Sequence, residues 1–156
     1  MQKITPFLWF DNQAEAAVDF YVSVFPRSSI RKVVRYMKGS PGPEGSVMTI
    51  DFVLDGVDYV ALNGGPVFTF SSATSFVINC TTQQEVDHYW EKLGAGGRYQ
   101  QCGWVVDKFG VTWQVVPVQL VELMTSLDAG QNERVMQAML KMDKLDIATL
   151  ERAAAA

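Results

Sequence analysis

Two rhythms of apolar residues alternate along the chain. Residues 4–10 (ITPFLWF) are a short apolar run with aromatic side chains on both alternating faces, and they predict a strand covered on both sides. Asp11-Asn12 then offers an N-cap, and Ala14, Ala17, Val18, Tyr21, Val22 and Phe25 recur at helical spacing until Pro26 ends the helix. Residues 29–37 (SIRKVVRYM) are β-prone with mixed charge, which suits a more exposed strand. The Gly/Pro content of residues 38–46 forbids regular structure there, and the segment reads as a hairpin connection or a lid. Residues 47–55 and 57–63 predict two strands around the tight-turn pair Asp55-Gly56, and Asn63-Gly64-Gly65-Pro66 closes the first half.

The second half repeats that order. Residues 74–81 alternate as a strand with Ser75, Val77 and Asn79 on one face, and Gln83 to Leu93 follow as a helix ended by Gly94 and Gly96-Gly97. Residues 98–106 predict one or two strands broken at Gly103. Asp107-Lys108-Phe109-Gly110 is a turn with Gly110 at positive φ, and Val111 to Val118 form a last strand stopped near Pro117. Val18-Asp19-Phe20-Tyr21 and Val86-Asp87-His88-Tyr89 fall in corresponding helices, 68 positions apart. The chain therefore reads as two copies of a β-α-β-β-β unit. Each copy leaves one strand face uncovered, so the pair must share a core or enclose a cavity.

Beyond residue 118 the pattern becomes helical throughout. Leu120, Leu123, Met124 and Leu127 keep helical spacing, as do Val135, Met136, Met139, Leu140 and Met142, with Asn132 as a cap. A third short helix runs from Asp146 to the terminal alanines. The methionine-rich stretch suits an irregular apolar surface, either a core within the subunit or a dimer contact.

Composition narrows the function classes. A chain of 156 residues can bury a full core, and its net charge of −4 argues against binding a phosphate backbone. No apolar run is long enough to span a bilayer, and the first residues lack the apolar region of a signal peptide, so membrane association is not expected and the cytoplasm is. Cys80 and Cys102 form no metal knuckle, and one histidine, His88, cannot build an imidazole site. Cys102, beside Gly103 with Arg98 and Lys108 the nearest bases in sequence, reads as a structural thiol or a nucleophile.

Several segments then point one way: ITPFLWFDNQAEAAVDFYVSVFP, SVMTIDFVLDG, VALNGGP, SFVINCTTQQEVDHYWEKL, QCGW, DKFGVTWQVVP and RVMQAMLKMDKLDIATLE. Together they resemble the PhnB-like branch of the vicinal oxygen chelate superfamily, the glyoxalase/bleomycin resistance/dioxygenase fold. The chain is similar in particular to the subgroup labelled 3-demethylubiquinone-9 3-methyltransferase. The resemblance implies an α+β fold of two βαβββ modules over residues 1–118 (module 1 about 1–66, module 2 about 67–118) and a C-terminal helical extension over 119–156.

In metal-dependent relatives, His or Glu side chains from four strands converge in a cup. The resemblance puts those positions here at Thr5 or Pro6, Leu62 or Asn63, Ser75, and Gln114. None is a histidine, cysteine or carboxylate, and neutral oxygen donors alone are poor ligands for a borderline metal, so no metal and no cofactor is expected. The methyltransferase label lacks the Gly-rich strand-to-helix turn that commonly holds S-adenosylmethionine. It stands as the alternative, and no catalytic residue is assigned. Alternation places Thr5, Phe7 and Trp9 on one face, and Thr112, Gln114 and Val116 on another. Converging, such faces make either an aromatic-walled pocket or a filled core. The pocket reading gives Phe7, Trp9, Asn63, Ser75, Gln101, Cys102, Trp104 and Gln114 as ligand-binding residues for a small amphipathic or aromatic molecule, in a homodimer.

Overall fold

In a computed structural model that describes residues 2–156, the chain divides at Phe70/Ser71 into two units. The first carries β1 (Phe7–Phe10), α1 (Ala14–Val24), β2 (Ser29–Arg35), β3 (Val47–Leu54) and β4 (Val57–Asn63). Its sheet has the order β1-β4-β3-β2, with β1 parallel to β4 and the other pairs antiparallel. A parallel neighbour for β1 needs a long crossover, which α1 and the intervening strands supply. The helix lays Ala14, Ala17, Val18, Tyr21 and Val24 against one sheet face, where Leu8, Phe10, Ile50, Phe52 and Ala61 are also buried. Asp55 at φ 46° and Gly56 at φ 84° make the tight β3–β4 turn, the left-handed pair that matches strand twist.

The second unit repeats the plan with β5 (Phe76–Cys80), α2 (Gln83–Gly94), β6 (Arg98–Tyr99), β7 (Trp104–Val106) and β8 (Thr112–Pro117), in the order β5-β8-β7-β6. The repeat is therefore real at the level of topology. Val18 and Val86, matched by the 68-residue offset, are both fully buried, and so nearly are Tyr21 and Tyr89. Trp90 and Trp113 are buried between α2 and its sheet, and Trp90 stacks on Tyr99 with ring centroids 4.7 Å apart. Gly110 sits at φ 93°, closing the turn that begins at Asp107.

Three helices complete this unit: α3 (Val118–Met124), α4 (Ala129–Met139) and α5 (Ile147–Ala155). They build a cluster of their own from Leu120, Val135, Leu145 and Leu150, with Met124, Met139 and Met142 packed against it. The flexible thioethers fill the gaps between the three short helices. Among the described residues, no helix is long and apolar enough to cross a membrane.

Three local expectations are corrected. β1 covers only residues 7–10 and is buried on one side, since Phe7 is 57% exposed while Leu8 and Phe10 face α1. The cap of α1 is neither Asp11 nor Asn12: the helix opens after Gln13, which caps nothing with its own side chain. In the tail, α4 starts earlier than Asn132 because the Asp128 carboxylate accepts the Gln131 N–H, and Asn132 instead donates to the Ser126 carbonyl.

Candidate functional site: the open sheet faces

Each sheet has one face under its helix and one face left to other contacts. In the first unit, register and alternation place Trp9, Leu62, Thr49 and Val34 in one row of the open face, and Phe7, Val60, Asp51 and Lys32 in the next. Phe68 meets the Trp9 ring edge-on at 5.0 Å, so Trp9 and Phe68 form an aromatic corner. Trp9 is pinned there, because its indole N–H donates to the Gly65 carbonyl at 2.9 Å and its ring lies on Gly64. A Cβ at Gly64 would come within 2.4 Å of that ring, which explains the glycine.

Thr5 and Pro6 precede β1, so neither is a strand position. The strand residue that lies 68 positions before Ser75 and shares the open face is Phe7. Of the pair Leu62 and Asn63, Leu62 shares the face of Trp9, while Asn63 turns to the helix side. There its amide is committed: Oδ1 accepts the Ala14 N–H at 2.8 Å, and Nδ2 donates to Glu15 Oε1 at 2.7 Å and to the Val47 carbonyl at 3.1 Å. Asp51 and Asp58 both fall on the open face. Asp58 pairs with Arg31 at 3.0 Å, and a cavity of about 280 Å³ beside them takes in Thr5 and Asp51.

The second unit's open face carries Val77 and Asn79 from β5, Thr112, Gln114 and Val116 from β8, and Trp104 from β7 opposite Gln114, while Ser75 lies just before β5. Gln114 Nε2 donates to Ser75 Oγ at 2.8 Å, and Thr112 Oγ1 shares a hydrogen bond with Ser72 Oγ at 2.9 Å. Ser75, Trp104 and Gln114 are thus brought together. Gln101 and Cys102 belong to a different construction. Cys102 sits at φ 60°, its N–H donates to the Met142 carbonyl at 2.9 Å, and its thiol points to the Met139 carbonyl at 3.7 Å. With Gly103 N–H on the Asp143 carbonyl at 2.8 Å, this turn holds the chain between α4 and α5.

The metal test is one of donor chemistry. On the open faces, nearest the positions where the resemblance expects ligands, the first unit presents the hydrocarbons Phe7 and Leu62, and the second presents Ser75 and Gln114, two neutral polar groups that bond to each other. Such a set does not fit a divalent ion. Among the described residues, no three His, Cys, Asp or Glu side chains converge elsewhere. The S-adenosylmethionine test runs the same way. The strand-to-helix connections Asp11-Asn12-Gln13 and Thr81-Thr82 contain no glycine, and β8 passes directly into α3 at Pro117-Val118, so none of the three offers a Gly-rich cradle.

Two buried groups had weak sequence signals. Asp107, 3% exposed, accepts the Phe109 N–H at 2.8 Å, the Val111 N–H at 3.1 Å and the Trp113 indole N–H at 2.8 Å. It is a fastener for the β7–β8 turn. Cys80 is fully buried, and burial first, then the charge of Glu85, pushes its thiol up to about 12. It is no nucleophile.

The sequence matches the family model described as 3-demethylubiquinone-9 3-methyltransferase over residues 2–116. Among solved structures it is similar to the PhnB protein from Bacillus cereus, at 36% identity and a TM-score of 0.69, covering 74% of this chain and 99% of that one. A glyoxylase/bleomycin resistance protein/dioxygenase domain from Frankia sp. EAN1pec aligns at 12% identity and a TM-score of 0.51, over 75% of this chain and 92% of that one. The fosfomycin resistance protein FosX from Listeria monocytogenes, complexed with Mn(II) and sulfate, aligns at 14% identity and a TM-score of 0.51, over 72% and 90%. The last two share the fold alone. No functionally curated protein matches the sequence.

Proposed function

The chain belongs to the 3-demethylubiquinone-9 3-methyltransferase family of the vicinal oxygen chelate superfamily, and from that premise we propose that it binds a small amphipathic or aromatic molecule without a metal ion, as a homodimer. One observation carries the metal-free part: the Gln114 amide donates to the Ser75 hydroxyl at 2.8 Å. Two positions that hold ligands in metal-dependent relatives here satisfy each other. The first unit's open face carries aromatic area from Phe7 and Trp9; the second unit's offers a ligand the Trp104 ring with a hydroxyl and an amide for orientation. That combination suits a flat or amphipathic guest with one polar edge.

A second reading, an enzyme of the same family, has one observation in its favour. Asp51 is a half-buried carboxylate on the open face of the first unit, and acid–base chemistry needs such a group within reach of substrate. The family label's methyl transfer gains nothing from the glycine-free strand-to-helix connections.

Tryptophan emission tests the proposal, because Trp9 and Trp104 stand on the two open faces. A screen of aromatic amphiphiles is expected to give saturable quenching that EDTA leaves unchanged. Binding that disappears with EDTA and returns with Mn(II) would overturn the metal-free reading. Saturable S-adenosylmethionine binding with methyl transfer that Asp51→Asn abolishes would favour the enzyme.

A further inference from the structure

We propose that a second cavity in the first unit, at the N-terminal end of α1, binds a small organic cation, an ammonium or guanidinium group on an apolar body. This cavity measures about 350 Å³, inside the range of small-ligand pockets, roughly 300–1,000 Å³. It shares no residue with the rows of Phe7 and Trp9, and the inference does not depend on what the open faces bind.

The walls are built rather than incidental. Tyr36 donates its phenol to the Asn63 carbonyl, and Gly42 of the Gly/Pro loop lies flat on the Tyr36 ring, where a Cβ would approach to 2.4 Å. The loop is therefore packed down as a wall, and Pro41 adds apolar surface to it. On the opposite side, Asn63 holds Glu15 through a 2.7 Å hydrogen bond, and the Gly65 N–H holds the Asp11 carbonyl at 3.1 Å.

Charge then selects the guest. Asp11 and Glu15 are the charged side chains that line the cavity, and among the described residues no basic side chain lines it. Two carboxylates favour a cation and repel an anion. They fall short of a metal site, since among the described residues no third His, Cys, Asp or Glu joins them. A cavity of this size with a proline and a tyrosine in its wall leaves a bare ion mostly uncoordinated, whereas an organic cation uses both the carboxylates and the apolar wall.

The test uses the full chain and amide chemical shifts with five probes: benzylammonium, benzamidinium, benzyl alcohol, benzoate and Ca²⁺ alone. Both organic cations are expected to shift the Gly42, Gly64 and Gly65 amides saturably. Their affinity should fall roughly tenfold in the Asp11→Asn/Glu15→Gln variant, a change of the size expected for losing charge-assisted contacts. Glu15→Gln keeps an amide oxygen for Asn63, and Asn12→Lys, which adds a rim charge without touching those bonds, should weaken binding in the same direction. Equal binding of benzyl alcohol or benzoate, shifts produced by Ca²⁺ instead of the organic cations, no cation-induced shift at these amides, or undiminished affinity in both variants would overturn the proposal.

Discussion

The side-chain oxygen of Asn63, the last residue of β4, accepts the backbone N–H of Ala14, the first residue of α1, at 2.8 Å. A helix start needs an acceptor for its free N–H groups, and here a strand 49 residues away provides it. The same amide reaches Glu15 and the Val47 carbonyl, so one side chain ties helix α1, strand β3 and the end of β4 together. Replacing it removes all of these bonds at once. Asn63→Ala is expected to destabilise the protein by about 2 kcal/mol, the scale of a lost cap plus a stranded carbonyl. Urea denaturation checks it, and an unchanged midpoint would show that the cap carries no weight.

The Ser75–Gln114 pair makes a different prediction. If the two groups serve each other, Ser75→Ala and Gln114→Leu remove the same bond, and their costs should not add. A double-mutant cycle should show coupling of about 1 kcal/mol, the net worth of one neutral hydrogen bond. Additive costs would mean that each side chain has its main partner elsewhere.

The thiols should differ in reactivity. Cys80 is fully buried with its pKa pushed up to about 12, so at about pH 8 it is both protonated and inaccessible. Cys102 is half-buried at a turn. Iodoacetamide followed by peptide mass spectrometry should therefore label Cys102 in the native protein and Cys80 only after unfolding. Native labelling of Cys80 would contradict the packing of β5 under α2.

Stability should also depend on pH through the contact of α2 with the C-terminal helices. Asp87 and Lys144 lie 2.9 Å apart, each side chain about 40% exposed. The hydrogen bond from Lys144, then that from Gln83, holds the Asp87 carboxyl below its ordinary 3.8, while the bond to Asp87 raises Lys144 above its ordinary 10.5. A lowered acid stabilises the fold fully above 3.8 and loses that contribution as pH falls through the folded-state value. For the raised Lys144, the contribution is full below 10.5 and lost as pH rises through the folded-state value. Solvent screening keeps both effects small and salt-sensitive. Hydrogen exchange at Leu145 and Ile147 should accelerate beyond the intrinsic rate as pH falls below 3.8 through the folded-state value, less so in Asp87→Asn. Equal behaviour of the variant would remove the pair from the account.

What the sequence made legible was whatever is carried by one element's own periodicity. Val18 and Val86, with Tyr21 and Tyr89, mark the buried face of each helix because burial follows helical spacing locally, and Asp55-Gly56 marks its turn because only certain residues accept that φ. The cap of α1 was not legible, since Asn63 is distant in sequence and a nearer Asp-Asn pair looked sufficient. In α4, Asp128 and Asn132 are both good caps by type, and spacing alone does not choose between them. Cys102 was misleading for the same reason. Its glycine neighbour signals a turn, but the turn's purpose, holding the Met142 and Asp143 carbonyls, lies 40 residues further on. The open-face positions were half legible: Ser75 and Gln114 followed from the motif, while the choice between Leu62 and Asn63 needed the β1–β4 register, which puts Leu62 on the face of Trp9.

The metal-free proposal rests on Ser75 and Gln114, which satisfy each other where the resemblance expects metal ligands. Native mass spectrometry of the untagged protein, before and after adding Mn(II) or Zn(II), tests it most directly. The account predicts the bare polypeptide mass per subunit, with no saturable adduct and no change on EDTA treatment. One ion per subunit that persists at stoichiometric metal and is lost in Gln114→Leu would contradict it.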